Sequence, residues 1–201
     1  MAKTIHVVGN KVYIPNDSEV CKHENSNLII FVGKMSYEPN IVATTFFANH
    51  VFPELLQRFP SLRFVIVGAN PDKRVSDLAN LINVEVTGYV DSVEPYFQKA
   101  SIVVAPMLTG AGLQNKIIQA MSYGCCVVTT PIGAEGLDIS NQEIAVVDGK
   151  EQMVAVITDL LLDYNMRVIM GKMARSYVME HLSETVISKQ FWNFMEDYSH
   201  Q

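Results

Sequence analysis

Pro106-Met107-Leu108-Thr109-Gly110-Ala111-Gly112-Leu113-Gln114-Asn115-Lys116-Ile117-Ile118-Gln119-Ala120-Met121 follows directly on the apolar run Ser101-Ile102-Val103-Val104-Ala105. The β-branched run predicts a buried strand, and the apolar spacing after the glycines, Leu113, Ile117, Ala120 and Met121 on one face, predicts a helix. A strand, a glycine loop and a helix start, in that order, bring unpaired backbone N–H groups and the positive end of a helix dipole to one point. Such a junction suits an anion, a phosphate or diphosphate above all, and Lys116, about one turn into the predicted helix, adds a full charge. The plainer alternative is a tight turn in which the glycines only permit the backbone path and Lys116 is a solvated surface lysine. The spacing matches neither a P-loop nor the dinucleotide fingerprint.

The same order of elements recurs on both sides of this stretch. Upstream, Leu28-Ile29-Ile30-Phe31-Val32 stops at Gly33, Phe64-Val65-Ile66-Val67 at Gly68, and Val84-Glu85-Val86-Thr87 at Gly88, each reading as a strand closed by a glycine. Helical spacing fills the intervals: residues 41–59, with a kink or a second start at Pro53, residues 70–81 behind the start signal Asn70-Pro71-Asp72, and residues 93–99. Downstream, Gly124 predicts a helix C-cap, Cys126-Val127-Val128-Thr129 a fifth strand and Ile144-Ala145-Val146-Val147 a sixth. Helices are expected at 151–162, 166–182 and 184–198. Before residue 28 only Lys11-Val12-Tyr13-Ile14 has strand character, so residues 1–27 read as a lead-in segment or linker and residues 28–201 as one domain.

Strands alternating with helices predict an α/β fold: a doubly wound, Rossmann-like parallel sheet with extra C-terminal helices. Ligands of such sheets bind at the carboxyl ends of the strands, which gathers Gly33-Lys34, Gly68-Ala69-Asn70, Gly88-Tyr89-Val90, the loop from Thr109 to Lys116 and the loop from Pro131 to Leu137 along one edge.

A length of 201 residues suits one sizeable core. The formal net charge of −6 gives no overall attraction to nucleic acid or to an anionic membrane, so a phosphate ligand must be held locally. No apolar run approaches the roughly 20 residues of a membrane span, and the N-terminus lacks the apolar core of a secretory signal. Cys21 and the adjacent Cys125 and Cys126 form no framework of spaced pairs, which fits a reducing, cytoplasmic setting with small buried thiols. His6, His23, His50, His181 and His200 are scattered without ligand spacing, so no metal site is expected.

Five ordered pieces resemble the nucleotide-binding C-terminal half of the group 1 GT-B glycosyltransferases, the retaining sugar transferases. They are Phe31-Val32-Gly33-Lys34-Met35-Ser36-Tyr37-Glu38-Pro39-Asn40, the stretch from Phe59 to Gly68, Val86-Thr87-Gly88-Tyr89-Val90, the stretch from Gly110 to Lys116 with Gln119-Ala120-Met121, and the stretch from Val127 to Leu137. The resemblance runs from about Leu28 to Tyr198, and Ile14-Pro15-Asn16 is similar to the segment by which such chains enter this half.

The resemblance implies a nucleotide-sugar donor, carrying UDP or GDP, lying across the strand ends, with no cofactor and no metal required. By the same resemblance Gly33 and Lys34 lie against the diphosphate and Lys116 neutralises it, so that Lys116 and Lys34 are the catalytic candidates. Tyr89 and Val90 meet the base, Gln119 the ribose, and Glu135 lies near the donor sugar. Gly110, Gly112, Leu113 and Asn115 complete the donor loop. Two departures stand out. The family places glutamates where this chain has Ala111 and Gln119, and often an arginine where it has Gln114. A glutamine still hydrogen-bonds ribose hydroxyls, without the charge-assisted strength of a carboxylate.

The family also uses an N-terminal, acceptor-binding half of similar size, for which this chain has no room. The expectation is therefore an isolated donor-binding domain that alone transfers little or nothing, its full-length protein a hexosyltransferase of polysaccharide or glycan synthesis with peripheral membrane contact. The missing half is expected upstream, at about 170 to 200 residues. A non-catalytic sugar-nucleotide-binding module is the alternative, on the strength of Ala111 and Gln119. A signalling receiver domain is disfavoured, because strand-end loops bearing Gly33-Lys34 and Gly68-Ala69 lack its acidic cluster.

Overall fold

The computed structural model describes residues 12–23, 26–140, 142–189 and 192. Six parallel strands form one sheet in the order β3-β2-β1-β4-β5-β6. They are β1 (Leu28–Val32), β2 (Arg63–Val67), β3 (Val84–Val86), β4 (Ile102–Ala105), β5 (Val127–Thr129) and β6 (Ala145–Val146). Every residue of β1, β4 and β5 is buried, as continuous apolar strands covered on both faces require. This is the doubly wound order, and its direction of winding reverses between β1 and β4. The α/β class and all six strands read from the sequence are present; the third, fifth and sixth are shorter by one or two residues.

The helices depart from expectation in three places. Helix α1 spans Glu38–Phe46, and Pro53, at the start of α2 (Phe52–Arg58), has no N–H to continue it, so the chain passes through a π-helical turn at Phe47–Val51. The expected helix over 70–81 is a single α-turn, α3 (Lys73–Ser76), tightened into a 3-10 turn at Asp77–Asn80. Its start is as predicted, with the Asp72 side chain accepting from the Arg74 N–H at 2.9 Å. Helix α4 (Glu94–Lys99) precedes β4, and α5 (Asn115–Ser122) precedes β5. Leu113, expected on the α5 face, lies in the loop before it, because Gln114 is extended (φ −88°, ψ 95°) and caps the helix.

Helices α6 (Lys150–Leu162) and α7 (Tyr164–His181) follow β6. Of the expected helix over 184–198, residues 184–189 are helical; Phe191, Phe194 and Tyr198 lie outside the described residues. Val12-Tyr13-Ile14 form no strand, and Lys11 lies outside the described residues. The lead-in segment instead straps onto the domain. Cys21 N–H donates to Tyr123 O at 2.8 Å, and Arg175 reaches from α7 to Ser122 O and Pro15 O, both at 2.7 Å. Cys21, Cys125 and Cys126 are buried free thiols.

The strand ends are stitched by backbone. Gly33 N–H donates to Val67 O and Met35 N–H to Ala69 O, each at 3.0 Å, which locks the loop after β1 to the loop after β2. Thr129 Oγ1 donates to Ala105 O at 2.7 Å and Thr130 Oγ1 to Met107 O at 2.6 Å, doing the same for β4 and β5. Behind this edge Phe47, Phe52 and Phe64 cluster with ring centroids 4.7 to 6.4 Å apart, packing the α1–α2 layer on β2. The carboxyl edge of the sheet is therefore a rigid platform for the loops it carries.

Candidate functional site

At the β1/β4 reversal the Lys116 ammonium is held over the Phe31 ring, 5.7 Å from its centroid. Lys116 is the second residue of α5, earlier in the helix than its expected place one turn in. Its Nζ donates to Gln114 Oε1 at 2.9 Å and touches Met107 Sδ at 3.6 Å. No carboxylate among the described residues pairs with it, and burial alone lowers its pKa from the ordinary 10.5 to about 8. Lys116 is thus a half-buried cation resting on an aromatic ring and a thioether, with a neutral amide as its hydrogen-bond partner, an environment in which an anion would be a favourable partner.

The loop before Lys116 is shaped by glycine. Gly110 and Gly112 have φ of +126° and +72°, where side chains other than glycine are strained, so the loop follows a path that few residues allow. No side chain caps α5, whose Asn115 is exposed at the first position. The positive end of the helix and Lys116 thus act at one place. Gln114, which the sequence suggested only as a missing arginine, orders this loop. Its Nε2 donates to Gly112 O at 3.2 Å while its Oε1 holds Lys116.

The loop after β1 supplies the second cation. Lys34 is exposed, and its carbonyl accepts from Asn40 Nδ2 at 3.0 Å and from Tyr37 N–H at 3.2 Å. Asn40 is buried, and residue type alone gave no sign of its role in fixing Lys34. Glycine at position 33 leaves room for this packing: a Cβ there would lie 2.7 Å from Asn40 Nδ2, and the Asn40 side chain would have to shift. On the other side the loop after β5 touches the glycine loop, since Glu135 Oε2 accepts from Gly112 N–H at 2.9 Å and a Cβ at Gly136 would meet the Leu113 side chain at 3.4 Å.

The structure therefore brings together Lys116, Gly110, Gly112, Leu113, Asn115 and Glu135, with Gly33 and Lys34 at the end of neighbouring β1. Gln119 is half-buried one turn beyond Lys116 on α5, on the same side of the helix. Tyr89 and Val90 stand apart, at the end of edge strand β3. Tyr89 is 75% exposed, and Val90 lines a separate cavity of about 420 Å³ with Arg63, Glu85 and Tyr96. Three strand spacings separate β3 from β4, about 14 Å. Among the described residues no group of three His, Cys, Asp or Glu side chains is placed to hold a metal ion, and no helix is long and apolar enough to cross a membrane.

Known proteins resemble this chain in sequence and in fold. The chain is 26% identical over 135 residues to an uncharacterized 44.6 kDa protein in the cps region of Klebsiella pneumoniae, covering 63% of this chain and 35% of that protein. It is 25% identical over 208 residues to the phosphatidyl-myo-inositol mannosyltransferase of Mycolicibacterium smegmatis, covering 94% of this chain and 52% of that one. This chain thus spans about half or less of the length of these relatives. A TarM variant of S. aureus, solved in complex with Fondaparinux, alpha-GlcNAc-glycerol and UDP, superposes with a TM-score of 0.78 at 20% identity, over 96% of this chain and 39% of that one. The model of the family described as "Glycosyl transferases group 1" matches residues 26–163, well over half of the sequence, and the chain belongs to that family.

Proposed function

We propose that this chain is the donor-binding domain of a retaining glycosyltransferase and binds a nucleotide sugar carrying UDP or GDP. The observation that supports this best is Lys116, a half-buried ammonium without a carboxylate partner among the described residues, set at the glycine-loop end of α5 where the sheet reverses. The diphosphate lies between Lys116 and Lys34, with the loop amides of Gly110 to Asn115 around it and the nucleoside running toward Tyr89 and Val90. Gln119 takes the ribose hydroxyls, and Glu135 faces the sugar. As the bond from the sugar's anomeric carbon to the diphosphate breaks, negative charge grows on the leaving oxygen. The two lysines balance it without a metal, and electrostatic stabilisation of that kind is a large term in group transfer.

The relatives suggest the setting: one lies in a cps region, one is a mannosyltransferase, and one was solved with UDP. The full-length protein is accordingly a cytoplasmic hexosyltransferase of polysaccharide or glycan synthesis that meets the membrane peripherally and carries its acceptor site on an N-terminal half. The chain alone binds donor and turns over little.

Calorimetric titration with UDP and with GDP tests this, and absence of binding by both would sink it. The pH profile is a sharper check. Because Lys116 loses its proton near pH 8 in the free chain, affinity holds through pH 7 and then falls by up to about tenfold per unit above pH 8. Binding near pH 8 takes up a proton, visible as a dependence of the heat on the buffer's ionisation enthalpy. Lys116→Arg, charged throughout, flattens the profile.

A further inference from the structure

The Glu135 carboxylate sits on the Gly112 backbone N–H at 2.9 Å. Gly112 lies in the left-handed region, and both residues are exposed. The contact is therefore not a by-product of core packing. It joins the loop after β5 to the loop that carries Gln114 and Lys116, and Leu113 against Gly136 joins them again one residue further on.

Resting on the donor site proposed above, we infer that Glu135 is a specificity-determining residue that disfavours the free nucleoside diphosphate and favours its sugar-linked form. A phosphate oxygen and a carboxylate oxygen compete for the same kind of N–H, so a diphosphate settling on this loop must share Gly112 with Glu135 or displace it. The two ligands differ in what they offer in exchange. An ionised carboxylate only accepts hydrogen bonds, so a sugar hydroxyl can donate to Glu135 and a fully ionised terminal phosphate cannot. The free diphosphate also carries an additional negative charge at that end, and the carboxylate repels it more. Glu135 thereby selects the loaded donor and speeds release of the diphosphate product, which shares the base and ribose contacts of the substrate.

The test compares dissociation constants for UDP and UDP-glucose, and for GDP and GDP-mannose, in the unaltered chain, Glu135→Gln and Glu135→Ala. Removing the charge tightens the bare diphosphate by about 3- to 10-fold, while the sugar nucleotide of the same base is unchanged or weakened. The preference for the sugar-linked form falls accordingly, and raising the ionic strength shrinks the gain for the bare diphosphate. Equal shifts for both ligands, or a weaker bare diphosphate, overturn the inference while leaving the donor site intact, provided Lys116→Ala still abolishes binding. If the unaltered chain binds none of the four nucleotides, the donor site itself is wrong and the inference falls with it.

Discussion

Lys116→Ala lowers the affinity for whichever of UDP or GDP binds by about 100-fold or more, the largest single loss expected at this site. The magnitude follows from the environment of the charge. Lys116 Nζ is half-buried over Phe31 and beside Met107, with Gln114 Oε1 as a neutral partner. A charge pair formed in so sheltered a place is screened weakly, and its removal costs about 3–5 kcal/mol of binding. The exposed Lys34 is screened strongly, and Lys34→Ala should lose far less. The same burial fixes the sign of the stability effect. The folded pKa, about 8, lies below the ordinary 10.5, so the unfolded chain binds more protons between those values. The charged lysine therefore destabilises the fold fully below pH 8, and the penalty is relieved as pH rises from 8 toward 10.5. Lys116→Met should melt no lower than the unaltered chain at pH 7. Binding lost with the fold intact marks a functional residue; binding kept within a few-fold by Lys116→Ala would refute the diphosphate assignment.

Much of this architecture was legible because parallel strands covered on both faces must be continuous apolar runs, and β1, β2 and β4 are such runs, two of them stopped by a glycine. Lys116 was legible for a related reason: a lysine just after a glycine loop at a helix start is a local pattern. What stayed hidden depends on side-chain reach. Gln114 looked like the loss of an arginine, yet it spans Gly112 O and Lys116 Nζ, which no residue-type rule predicts. Asn40 stands in the sequence only as the last residue of the motif after β1, yet it fixes the Lys34 carbonyl from the first turn of α1. The π-turn at Phe47–Val51 and the 3-10 turn at Asp77–Asn80 were hidden because tertiary packing decides how a short helix adjusts around a proline or ends before a strand. Leu113 fits the helical period of α5, but the extended Gln114 intervenes.

Gly68→Ala is expected to damage fold and site together, costing about 3 kcal/mol or more and lowering Tm by about 6 to 12 °C. A Cβ at Gly68 would lie 1.7 Å from Gly33 O and 2.9 Å from Gly33 C, and both are backbone atoms that no rotamer change can move aside. Those atoms are held where they are. Gly33 N–H donates to Val67 O, Met35 N–H to Ala69 O and Asp72 N–H to Met35 O, each at 3.0 Å. To admit one methyl group the loop after β1 must part from the loop after β2, which breaks this ladder and carries Gly33 and Lys34 off the rim that Lys116 faces. Nucleotide affinity should therefore fall even at temperatures where the variant remains folded. Gly88→Ala provides the comparison. Gly88 has φ +70°, but a Cβ there meets nothing within 4 Å, so its cost is the strain of a left-handed residue, about 1 kcal/mol. A much larger loss at Gly68 than at Gly88 identifies close backbone approach as the reason for glycine at the end of β2. Equal losses would mean that conformational strain suffices and that the stitched loops tolerate separation.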